Sequence, residues 1–129
     1  MIVCVMTQER GHIHLDTVFT FLDCDKVTIF LKVVSEIRAY SLRPGKKAGD
    51  CNVTPERDLL SAAVAALKIT KLYVVETGGD CCQKEREQGD DANNVVALEP
   101  GVVVCYERNT YTISRMRQAG VEVIPIPGF

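Results

Sequence analysis

The sequence has only two histidines, His12 and His14, and no apolar run near the roughly 18 to 20 residues that cross a bilayer. Its apolar start, Met1 to Met6, is short, with no basic segment before it and no cleavage site after it, so neither a signal peptide nor a membrane span is expected. Fifteen Lys and Arg stand against seventeen Asp and Glu, for a net charge of -2. The cations are scattered and form no basic stripe, which argues against a nucleic acid partner. A phosphate cradle is also missing, since neither Gly78-Gly79 nor Gly89 follows a strand and opens a helix with the required glycine spacing. Six cysteines (Cys4, Cys24, Cys51, Cys81, Cys82, Cys105) lack the density and regular spacing of a disulfide scaffold. The expectation is a soluble, cytoplasmic protein with reduced thiols and no membrane partner.

What is present suits one globular unit over residues 1–129, with 47% hydrophobic and 25% charged residues. Ile2 to Met6 reads as a buried strand, followed by a polar turn over residues 7–11. Val18 to Leu22 and Val27 to Leu31 flank Asp23-Cys24-Asp25-Lys26 as a hairpin. Ala39 to Leu42 reads as a strand and Pro44 to Asn52 as a surface loop. Thr54-Pro55-Glu56 has the hydroxyl, proline and acid of a helix start, with Leu59, Leu60, Ala63, Val64 and Leu67 as its apolar face. Leu72 to Glu76 is a strand, and Val95 to Leu98 pairs with Val102 to Tyr106 around Glu99-Pro100-Gly101. A helix follows over residues 109–119, capped by Asn109 and stopped by Gly120, and Val121 to Ile126 is the last strand before Pro127-Gly128-Phe129. The order is hairpin, helix, strand, repeated, which predicts an α/β fold of about two ββαβ units.

The candidate chemistry lies in Gly11 to Phe19. Strand alternation would set His12, His14 and Asp16 on one face, with Ile13, Leu15, Thr17 and Phe19 on the other. An imidazole beside a carboxylate suits proton transfer near neutrality, with the carboxylate orienting it or binding a cation. The same three side chains are an incomplete metal set, and a zinc-dependent hydrolase built on His12, His14 and Asp16 is a second reading. A further segment, Glu85 to Asn94, reads as a solvated charged turn before the second hairpin.

Several segments in order resemble arginine deiminase, of the guanidino-group-modifying, pentein-like α/β-propeller superfamily. They are His14-Leu15-Asp16-Thr17-Val18-Phe19, Val74 to Gly79, Glu85-Arg86-Glu87-Gln88 with Asp90-Asp91 and Asn93-Asn94, and Glu99 to Val104 through Arg108-Asn109. The resemblance implies a partial propeller with His14 and Asp16 facing its open centre. It implies hydrolysis of L-arginine to citrulline and ammonia without metal or organic cofactor. In that family a cysteine thiolate attacks the guanidinium carbon, a histidine shuttles protons to ammonia and from water, and acidic side chains clasp the guanidinium. By motif match, His14 is the proton shuttle and Asp16 the guanidinium clasp.

The match departs from the family in two ways. The family's nucleophile lies in a Cys-Pro segment after a glycine- and arginine-rich loop, and none of the six cysteines stands at that place. Its other carboxylate, its acid/base glutamate and its carboxylate-binding arginines belong to an N-terminal region that this sequence does not match. Locally, Gly89 stands where the family usually has tryptophan, and Ala92 where it has glycine. The chain alone is therefore expected to be inactive, because members of a catalytic unit act together. Other readings are an arginine-binding or complementing subunit of a split enzyme, a self-associating chain, or a sister activity on agmatine or methylated arginine.

Overall fold

The computed structural model describes residues 1–9 and 11–128, so Arg10 of the expected turn and the terminal Phe129 lie outside the described residues. The fold is mixed α/β, with nine strands in three small sheets among the described residues. The strands are β1 (Ile2–Val5), β2 (Phe19–Asp23), β3 (Lys26–Ile29), β4 (Arg38–Pro44), β5 (Cys51–Pro55), β6 (Tyr73–Glu76), β7 (Val96–Glu99), β8 (Val102–Tyr106) and β9 (Glu122–Ile126). The helices are α1 (Leu31–Val34), α2 (Leu59–Leu67), α3 (Cys81–Gly89) and α4 (Thr110–Gln118), with a 3-10 turn over Leu15–Thr17. Among the described residues no helix is long and apolar enough to cross a membrane.

Two sheets share one plan. In each a hairpin, β2-β3 or β7-β8, receives a later strand, β6 or β9, parallel to its second member. A parallel partner cannot be reached by a tight turn, so a longer crossover must intervene, and here α2 precedes β6 and α4 precedes β9. The expected repeat is thus present in strand pairing, but its first copy is interrupted. Between β3 and β6 the chain also makes α1, β4 and β5, and β4 pairs antiparallel with both β1 and β5 to form the third sheet.

Strand alternation sorts the core into two clusters. Val27 and Ile29 of β3 pack with Val18, Phe19, Phe30, Val33 and Leu59 on one side. On the opposite face, Leu22 and Val75 join Val103, Cys105, Ile113, Met116 and Val123. The central strand β3 is therefore buried on both faces, and Thr28, between Val27 and Ile29, is a fully buried hydroxyl that needs a partner.

Two expected boundaries are corrected. Thr54 and Pro55 do not start a helix; they end the edge strand β5, opposite Ser41 and Tyr40, where a missing proline N–H is tolerated. The α2 cap is Asp58, whose carboxylate accepts the Ser61 amide at 2.7 Å. Leu59, Ala62 and Ala63 form the buried face of α2, whereas Leu67 is exposed. The expected loop Pro44 to Asn52 is shorter, since Pro44 belongs to β4 and Cys51 and Asn52 to β5.

Candidate functional site

Residues 11–17 are not a strand, which corrects the expected three-residue face. Thr17 turns the chain here, its hydroxyl donating to the His14 carbonyl at 2.7 Å and its amide to the same oxygen at 3.3 Å. Thr20 donates its hydroxyl to the Asp16 carbonyl at 3.1 Å. Such local side-chain bonds offer the backbone an alternative to a ladder. Leu15 packs against the first core cluster.

The turn separates the two histidines. The side chain of His12 is 9% exposed, with Nδ1 3.4 Å from the Thr7 hydroxyl and the ring beside Phe30 at 6.1 Å between centroids. His14 and Asp16 are exposed and line one open recess of about 630 Å³ with Leu15, Phe19, Thr20 and Phe21. Among the described residues neither side chain has a hydrogen-bond partner, so both keep their bonding capacity for a ligand. No three His, Cys, Asp or Glu among the described residues are grouped as a metal ion would need, so the zinc set of His12, His14 and Asp16 is not assembled.

The expected solvated turn at 85–94 is in fact α3 and the buried segment after it. Its start is legible in the sequence as a capping box: Asp80 accepts the Gln83 amide while the Gln83 side chain accepts the Asp80 amide, both at 2.8 Å. Gly78 and Gly79 do link strand β6 to this helix, correcting the expected placement, but the helix's own side chains fill its N-terminus.

Two consecutive residues of α3 point into the protein. Glu87, fully buried, accepts the Tyr111 amide at 2.9 Å on one carboxylate oxygen. Its other oxygen accepts the amide and the hydroxyl of Thr112 at 2.9 and 2.6 Å. This carboxylate caps α4 from another helix. Asn109, the expected cap, instead donates its side-chain amide to the Asp90 carbonyl at 2.9 Å. The Thr112 hydroxyl also accepts the Gly78 amide at 3.0 Å, tying the end of β6 to α4.

Gln88 follows and reaches the other way. Its amide donates to the Gly11 carbonyl at 2.8 Å and, more weakly, to the Thr17 carbonyl at 3.5 Å, the two ends of the turn that bears His14 and Asp16. Next to it, Asn93 donates to the Thr28 hydroxyl and accepts from the Thr77 hydroxyl, both at 2.7 Å, which satisfies the buried threonine of β3. The motifs from residues 77 to 112 thus supply several groups of long-range polar contacts, those of Asn93 with Thr77 and Thr28 and of Glu87 with Thr112 being buried.

All six thiols are free. Cys105 is buried in the second core cluster, and desolvation pushes its thiol up to about 11, which keeps it protonated and inert near neutrality. Burial raises Cys4 as well.

The chain matches the family described as Arginine deiminase over residues 1–129. It is similar to the arginine deiminase of Mycolicibacterium gilvum, 44% identical over 121 residues that cover 94% of this chain and 30% of that protein. It is 43% identical to the arginine deiminases of Mycobacterium marinum and Mycobacterium avium, over 123 residues that cover 95% of this chain and 30% of each. The chain thus spans about 30% of the length of these curated relatives.

Proposed function

The chain belongs to the arginine deiminase family, and on that premise we propose that it forms the guanidinium-holding and proton-moving part of an arginine-hydrolysing site. The observation that carries the reading is the pairing of His14 and Asp16 on one open recess, both with bonding capacity unspent among the described residues. Asp16 holds the planar guanidinium through charge-assisted hydrogen bonds. His14 gives a proton to the departing ammonia and takes one from the incoming water. The thiolate that attacks the guanidinium carbon comes from outside the segment that these 129 residues match. His12, packed against Phe30, takes no part in the chemistry.

The shared pairing of β2-β3-β6 and β7-β8-β9 supports reading the two sheets as neighbouring blades of a propeller. Val96 and Leu98 on the edge strand β7 are 62% and 60% exposed, which favours self-association or a complementing chain.

The test is a chimera in which this chain replaces its matched segment in the Mycolicibacterium gilvum relative. The chimera should make citrulline from arginine, and the 129 residues alone should make none. His14→Ala should lose nearly all turnover and His12→Ala much less. Removing one partner of a desolvated charge pair costs about 2 to 5 kcal/mol. Asp16→Asn should therefore weaken arginine use by at least about tenfold. Unaltered arginine kinetics in both His14→Ala and Asp16→Asn would overturn the assignment.

A further inference from the structure

We infer that Gln88 is the positioning residue of this site, setting the posture of the turn that carries His14 and Asp16; the inference rests on the reading of those two residues given above. Their own side chains have no partner among the described residues, so the backbone sets the place and direction in which each leaves the chain. That backbone is shaped locally by Thr17, and Thr20 of β2 ties its later part, at the Asp16 carbonyl, to the sheet, which leaves the earlier part to be held from elsewhere. Leu15 and His12 supply packing, which tolerates small rotations better than hydrogen bonds do. Gln88 supplies direction, through one amide nitrogen aimed at the carbonyls of Gly11 and Thr17, 77 and 71 residues away in sequence.

Three features mark this as more than a surface contact. Gln88 is 7% exposed, so water does not readily replace the bonds it makes. Its neighbour Glu87 is anchored at three points on α4, which fixes the helix that presents it. An amide also has two donor hydrogens and can serve two carbonyls at once, which a carboxylate or a thioether cannot.

Gln88→Met keeps the length of the side chain and removes both donors. In the 129-residue chain, hydrogen exchange at the His12, Thr17 and Val18 amides, which are hydrogen-bonded within this turn, should accelerate about fivefold, the factor for about 1 kcal/mol of hydrogen bonding, while exchange at Val103 in β8 stays unchanged. In the chimera, kcat should fall about fivefold, and adding Gln88→Met to Asp16→Asn should cost less than that, because one of the two residues it positions is already altered. Gln88→Glu, which turns the donors into oxygens facing carbonyl oxygens, should lose at least as much. If His14→Ala abolishes turnover but Gln88→Met leaves both kcat and local exchange unchanged, the positioning role is wrong and the site assignment stands. If His14→Ala and Asp16→Asn are both harmless, the site assignment falls and takes the positioning role with it.

Discussion

Glu87 and Thr112 hold each other at two points: one carboxylate oxygen accepts both the amide and the hydroxyl of the threonine, at 2.9 and 2.6 Å. The threonine hydroxyl passes the link on by accepting the Gly78 amide. Helix α3, the first turn of α4 and the end of β6 are joined through these two side chains.

Glu87→Ala leaves both buried Thr112 donors and the partly buried Tyr111 amide without an acceptor. The cost should be about 3 kcal/mol or more in urea unfolding, a large share of the stability of a small domain. Glu87→Gln keeps one acceptor oxygen and should cost about half as much. Equal midpoints for Glu87→Ala and the unaltered chain would show that water reaches this site.

The same substitution at two glycines should act with opposite sign. A Cβ at Gly78 would overlap the backbone of Tyr111 and Thr112, so Gly78→Ala should destabilise by about 2 kcal/mol or more. A Cβ at Gly89 meets nothing within 4 Å at the last position of α3, so Gly89→Ala should stabilise by about 0.5 to 1 kcal/mol. Thermal melts of the two variants on either side of the parent would bear this out.

The Asp58 cap gives a pH dependence of known sign. Hydrogen bonds from the amide and hydroxyl of Ser61 hold its carboxyl below the usual aspartate value of 3.8. A lowered folded value means that the contribution is complete above 3.8 and is lost as pH falls through the lowered value. Asp58→Ala should thus cost about 1 kcal/mol at pH 7. The gap should close as the solution is acidified below 3.8. A gap independent of pH would assign the loss to something other than the charged cap.

Thiol labelling should resolve three classes. Cys24, Cys51, Cys81 and Cys82 are exposed and should react at once at neutral pH, with half-buried Cys4 slower. Cys105 should react only on unfolding, given its burial and raised pKa. Mass mapping of the labelled peptides checks the order.

The strand pairs were legible because they are written as short β-branched runs with turn residues between them: both hairpins, β4, β6 and β9 lie within a residue or two of their expected places. Two of the misread segments turn on a side chain's partner. Thr54-Pro55 resembles a helix start until the β4 edge claims it, and Asp58 then takes the cap. Residues 85–94 resemble a solvated turn because burying Glu87, Gln88 and Asn93 is affordable only where Thr112, Gly11, Thr28 and Thr77 meet them, and no local pattern announces that. His14 and Asp16 were visible as a pair, but their shared recess comes from a turn rather than from strand alternation, and the same turn removes His12.

Helix α3 has almost no apolar side chain to offer, and its inward residues bond only to groups far away in sequence. Its interior contacts cannot form until the termini of those long loops have already been brought together, so it should join late, after both apolar clusters have condensed. The turn that carries His14 and Asp16 then acquires its final orientation in the same closing step. Mutations in α3 should accordingly speed unfolding more than they slow folding.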